Sequence, residues 1–257
     1  MKNETVHLGD PAEPDWTERR RRVGGAPQDV DLYLVTLAEV RDWASTSTGW
    51  LAEDELARAR KLHDEIQHRE FLVSRVVLRR LLALRLDCPP EVVDLPRNST
   101  TGAPGPATIR AGAGHNSDGY VHYSLARTPG HIAIVMANRP VGVDLESRQS
   151  ADQAESLVRV LHPADQARLL REPERRRARA VTEAWVRLEA LLKVRGTGLS
   201  TDPSSIEVGT ANRVRHSDDL IVTGVRTRRG SHLHAAVAWL EDPLGTLEPT
   251  ADPAKDR

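Results

Sequence analysis

A single cysteine, Cys88, excludes any disulfide within the chain and fits a reducing compartment. It lies beside Pro89 and Pro90 at an expected helix end, and no His/Asn constellation marks it as a nucleophile. Long apolar runs are also missing. No stretch approaches the roughly 18 apolar residues of a membrane span, and the polar stretch from Met1 to about Gln28 has no apolar core of the signal-peptide kind. The expected location is therefore the cytoplasm. The formal net charge is -1, so no global field argues for nucleic acid or a membrane surface. The Gly/Pro-rich stretch from Asn98 to Asn116 lacks a Walker pattern, and its glycines are weak grounds for a phosphate cradle.

What remains is an ordinary globular composition, 39% hydrophobic and 28% charged over 257 residues, enough for one large domain or two small ones. Residues 1–28 and 243–257 are polar, without apolar period, and are expected to be a disordered arm and tail. Asp31–Leu37 reads as a first strand, followed by a short helix over Val40–Ala44 and a helix beginning near Trp50. A long helix is predicted from about Asp64 to Leu86, its core stripe built on Phe71, Leu78, Leu81 and Leu82. Arg69, Arg75, Arg79 and Arg80 punctuate it, most as solvated or snorkelling side chains, one or two as candidates for a phosphate.

Tyr120–Leu125 and His131–Ala137 read as strands joined by a turn at Arg127–Gly130, and Val141–Glu146 as a third, a β-meander being the simplest arrangement. Helices follow over Ala151–Leu161, Pro163–Arg171 and about Glu174–Arg195, the last stopped by Gly196. Strands are then expected at Ser205–Val208, Leu220–Arg226 and His232–Leu240. The fold class is α+β. A coarse repetition of elements places a seam near Arg139, giving an N-terminal half over 29–139 and a C-terminal half over 140–242.

Three carboxylates stand out. In the strand Val141-Gly142-Val143-Asp144-Leu145-Glu146 the side chains alternate, so Asp144 and Glu146 share one face and repel each other. A hard cation such as Mg²⁺ is one natural partner for them; a half-buried strand with an acidic solvent face is the other reading. Glu189, 43 residues after Glu146, and Lys193 sit one helical turn apart beside the stripe Val181, Ala184, Trp185, Leu188 and Leu192. Alone they read as an exposed ion pair. Together with the strand they would make a three-carboxylate metal site, with Lys193 one turn away to meet a phosphate.

These motifs resemble the 4'-phosphopantetheinyl transferases of the Sfp type. The family has a strand hydrophobic-Gly-hydrophobic-Asp-x-Glu, then a helix Trp-x-x-Lys-Glu-x-x-x-Lys and Gly-x-Gly-Leu; here VGVDLE at 141–146 is followed by Trp185, Glu189, Lys193 and Gly196-Thr197-Gly198-Leu199. The turn Ala126-Arg127-Thr128 and the helix start Arg69-Glu70-Phe71-Leu72 are similar to further family segments. The resemblance spans roughly residues 30–240. It implies two pseudo-symmetric halves, each a small antiparallel sheet packed on a long helix, in a monomer. It implies Mg²⁺ on Asp144, Glu146 and Glu189, with Glu189, Asp144 and Lys193 as the catalytic set. It implies coenzyme A as substrate, held by Lys193, Arg127 and Arg69, with Arg58 and Lys61 as further candidate cations. An apo acyl or peptidyl carrier protein would be the partner, in polyketide, nonribosomal-peptide or fatty-acid-type biosynthesis. The family's lysine before the glutamate is Leu188 here, its Ser-His pair is Ala126-Arg127, the loop lysine is Ala103, and Thr197 stands where a lysine is frequent. Those departures motivate a second reading, a repurposed member acting as another enzyme or as a carrier-protein binding module. A third is an unrelated α+β protein with a chance acidic strand.

Overall fold

The structure is a computed structural model, and it describes residues 12–95, 107–109, 120–196, 201–209, 213–216, 219–227 and 231–241. The first elements are α1 (Trp16–Arg19), β1 (Arg20–Arg22), β2 (Asp31–Thr36), α2 (Leu37–Thr46) and α3 (Glu53–Arg60). The 22-residue α4 (Glu65–Leu86) follows. Asp64 caps its start, accepting from the Gln67 amide at 2.7 Å, which satisfies one of the free N–H groups of the first turn. Next come β3 (Val93–Asp94), β4 (Ala107–Ile109), β5 (Tyr120–Thr128) and β6 (His131–Ala137). The last elements are β7 (Val141–Ser147), α5 (Ala151–Val158), α6 (Pro163–Leu170), α7 (Glu174–Arg195), β8 (Arg213–Arg215), β9 (Leu220–Val225) and β10 (Leu233–Leu240).

The strands form two antiparallel sheets, ordered β1-β2-β6-β5-β4-β3 and β7-β10-β9-β8. The class is α+β. The first sheet and α4 enclose one core, in which Val76, Val77, Leu78 and Leu82 meet Val35, Ile132 and Ile134. The second sheet and α7 enclose another, in which Leu188, Leu191 and Leu192 meet Val222, Ala236 and Ala238. A third cluster joins the sheets themselves. Leu32, Val135 and Ala126 pack there with Val143, Leu145, Val237 and the fully buried Trp239.

Several expectations change. The arm expected to be disordered over residues 1–28 instead carries α1 and β1 in its described part. Trp16 is buried and sets its ring edge-on to Trp43 at 5.6 Å, so apolar burial orders a stretch whose composition is otherwise polar. The predicted meander does not form. Both edges of β6 are taken, by β2 and β5, and β7 pairs with β10 across the chain instead. Residues Arg127 and Thr128 belong to β5, and the turn is only Pro129–Gly130, where Gly130 takes φ +74, the left-handed conformation glycine adopts at no steric cost. No strand covers Ser205–Val208; a 3₁₀ turn, Pro203–Ser205, precedes it. Of the α4 arginines, Arg75 and Arg79 are not solvated but clasp the buried Glu55, their Nε atoms donating at 2.5 Å and 2.6 Å. The tail from 243 and most of the Asn98–Asn116 stretch lie outside the described residues.

Candidate functional site

The alternation expected in β7 is observed. Val141, Val143 and Leu145 face the cluster between the sheets, and Gly142, Asp144 and Glu146 therefore face α7. Gly142 is what lets the helix come so close. A Cβ at that position would clash with the Ala190 carbonyl oxygen and stand 2.9 Å from the Val194 nitrogen. The backbone of α7 rests on the bare Cα, and this brings Glu189 and Lys193, each within one turn of Ala190, over the two acids.

Lys193 is the first to arrive. Its Nζ donates to Asp144 Oδ1 at 2.8 Å and to the Val143 carbonyl at 2.9 Å. The expected Glu189–Lys193 pair on an exposed face is replaced by a strand-to-helix contact. Asp144 is buried, at 6% exposure, and its second oxygen, Oδ2, has no hydrogen-bond partner among the described residues. Glu146 and Glu189 are half-buried. Burial, followed by the charge of Asp144, pushes the Glu146 carboxyl up to about 7, with Glu189 adding to the rise and Lys193 opposing it. Burial and Asp144 likewise raise Glu189. One ammonium thus faces three carboxylates, and the uncompensated repulsion falls on Glu146.

Among the described residues no three acidic, histidine or cysteine side chains converge on one point as a metal-ligand set. The donor chemistry nevertheless fits a hard divalent cation. All three groups are oxygen donors, the site has excess negative charge, and a buried carboxylate oxygen is unpaired.

A second group of candidates stands on β5 and α4. Hydrogen bonds between side chains and backbone run β5 alongside β7. The Val143 amide donates to Ser124 Oγ at 3.2 Å, and the Thr128 and Ser147 hydroxyls meet at 3.3 Å. These contacts set Arg127 on a level with Glu146. The Arg127 guanidinium lies 5.2 Å from the centroid of the Phe71 ring, and that of Arg58 lies 5.8 Å from it. Burial, then the positive charges of Arg58 and Arg75, hold Arg127 below the usual guanidinium range. Arginines gathered in this way suit a phosphate group. Phe71, read from sequence as a core residue, is also their platform; its being the only phenylalanine in the chain was the available signal. Arg69 stands exposed on α4 and, among the described residues, makes no hydrogen bond or ion pair with this group. Leu188 is fully buried against the second sheet, as its place in the apolar stripe predicts, and Ala126 is buried between the sheets. Ala103 and the segment Thr197–Leu199 lie outside the described residues. Cys88 is a partly buried free thiol, pushed up by burial and by Asp87 and Glu91, the opposite of an activated nucleophile.

Residues 140–234 match the family described as the 4'-phosphopantetheinyl transferase superfamily. The matched stretch contains Asp144, Glu146, Glu189 and Lys193, and it supports that superfamily and a phosphopantetheine transferase role. No curated protein matches the chain. No helix among the described residues is long and apolar enough to cross a membrane.

Proposed function

We propose that this protein transfers the 4'-phosphopantetheine group of coenzyme A to a serine hydroxyl of an apo acyl or peptidyl carrier protein. The supporting observation is the cluster of Asp144, Glu146 and Glu189 on facing surfaces of β7 and α7, within the segment that matches the superfamily. Burial and then the charge of Asp144 raise Glu146 to about 7, and a buried oxygen of Asp144 is unpaired among the described residues. These three residues would hold Mg²⁺. Bound there, the ion would supply neutralisation of charge on the pyrophosphate oxygens.

The chain's own groups account for the rest. Lys193, anchored by Asp144 and the Val143 carbonyl, places a fixed positive charge beside the cluster for the pyrophosphate. Arg127 and Arg58, both against the Phe71 ring, are the donors for a further phosphate of coenzyme A, with exposed Arg69 as an outer contact. The serine oxygen attacks the β-phosphorus, the new P–O bond forms as the bond to 3',5'-ADP breaks, and the serine proton leaves to a base. Glu189, raised by burial and by Asp144, is the candidate base. The route would serve polyketide, nonribosomal-peptide or fatty-acid-type synthesis, in the cytoplasm and as a monomer.

The test is incubation with Mg²⁺, coenzyme A and a panel of apo carrier proteins, read by intact mass. A carrier gaining phosphopantetheine supports the reading; no gain on any carrier, together with no binding of coenzyme A, overturns it in favour of a repurposed member of the fold. Asp144→Asn is expected to lower transfer by more than the roughly 10–100-fold typical of an outer-shell metal partner. Unchanged transfer by that variant would remove Asp144 from the metal site.

A further inference from the structure

A second cavity, of about 530 Å³, opens on the β9–β10 side of α7. None of Asp144, Glu146, Glu189 and Lys193 lines it. Its volume falls in the range of small-ligand sites. Its walls are strongly cationic: Arg148, Arg179, Arg187 and Arg226 contribute guanidinium groups against the one carboxylate of Glu183, and His234 adds an imidazole.

The charges do not cancel. Glu183 is already engaged, by Arg179 Nε at 2.8 Å and His234 Nδ1 at 3.5 Å. Arg187 forms the floor and is buried at 7% exposure. Among the described residues it donates one bond, to the Gly209 carbonyl at 3.3 Å, while its Nε has no partner there. The nearest other acid, Asp165, spends its oxygens on the Val208 and Gly209 amides and on Arg168. His234 is equally buried, at 8%, and its Nε2 is unpartnered. The Arg187 Nε is a buried donor without an acceptor, which is costly unless a ligand completes it. Gly224 keeps the wall over Arg187 open, since the nearest atom to a Cβ there would be the Arg187 guanidinium at 3.4 Å.

We propose that this cavity is a binding site for the phosphate group of a small metabolite, separate from the acidic cluster. Arg187 supplies the buried donor, with the His234 ring beside it, and Arg148 and Arg226 close on the ligand from the exposed rim. A planar carboxylate is satisfied by one guanidinium fork, whereas a tetrahedral dianion uses donors from several directions. The site does not depend on the transferase reading, because it shares no residue with it.

Calorimetric titration of the full chain with inorganic phosphate, in chloride buffer, tests the assignment. Saturable binding at one site is expected. Arg187→Gln should weaken it about tenfold or more, the loss of a charge-assisted bond. Because Arg187 is buried and its variant can misfold, the rim double variant Arg148→Gln/Arg226→Gln serves as the second probe, and should also weaken binding with the circular dichroism spectrum unchanged. Arg127→Gln, which removes the donor beside Phe71, should leave the binding that depends on the rim pair intact. The proposal is overturned by absence of saturable binding, by binding insensitive to the rim pair, or by binding lost on Arg127→Gln, which would place the ion beside Phe71. Citrate binding tighter than phosphate would overturn the phosphate assignment.

Discussion

At the scale of single residues, the chemistry of the C-terminal half turns on where carboxylates find cations. Asp144 finds Lys193, and Glu146 is pushed up to about 7 by burial and then by the charge of Asp144. Glu183 shows the opposite case. A hydrogen bond from His234 and the Arg179 guanidinium hold its carboxyl at about 2, against burial that works to raise it from its ordinary 4.5. The folded value is therefore below the unfolded one. The stability this provides is complete above about pH 4.5 and is lost as pH falls through about 2. Glu183→Gln should flatten that dependence: the stability gap between wild type and variant, from urea unfolding, should be present near pH 6 and shrink toward about pH 2. A gap of the same size at both pH values would show that the ionised carboxylate is not its source. The residue pattern Asp144-x-Glu146, with Glu189 and Lys193 farther on, was legible in the sequence because strand alternation and helical spacing are local rules. That Lys193 bonds Asp144 rather than Glu189 was not legible, since the choice depends on how far α7 sinks onto β7.

At the scale of elements, that depth is set by Gly142. The predicted limits of α4 and α7 agree with the structure to within a residue or so, because capping residues and apolar stripes act along the chain. Contact between α7 and β7 is another matter. Any side chain at 142 must displace the Ala190–Val194 turn. Gly142→Ala is expected to cost about 1–3 kcal/mol by overpacking, measured by chemical denaturation. It should also lower transfer activity more than its loss of folded protein explains, because Lys193 and Glu189 would lift away from Asp144 and Glu146. A variant of wild-type stability and activity would show that the close approach is not needed. The α3–α4 pair shows how tertiary contacts override a surface reading. Arg79 is 2% exposed, and its guanidinium reaches Glu55 and the Val93 and Pro90 carbonyls, a set of acceptors that no helical periodicity announces.

At the scale of the whole molecule, the two sheets are joined through an apolar layer rather than a ladder. Val141, Val143, Leu145, Ile221, Val237 and Trp239 give one side of it and Leu32, Ala133, Val135 and Ala126 the other. Residues 140–241 alone would expose that face, including the fully buried Trp239. Expressed without the first 139 residues, the segment should aggregate or unfold non-cooperatively, while the full chain should unfold in one transition; a monomeric fragment with a sharp unfolding transition would refute this. The order of strand-like and helix-like patterns along the sequence determined an α+β protein, and the spacing of its acids and lysine pointed to the site, because both follow from short-range periodicity and residue chemistry. The tertiary structure alone decided which strand β7 joins, that Trp16 anchors the supposed arm, and that Arg187 is buried with a donor unpaired. Those outcomes depend on which edges and surfaces distant segments leave free, and no local pattern encodes that.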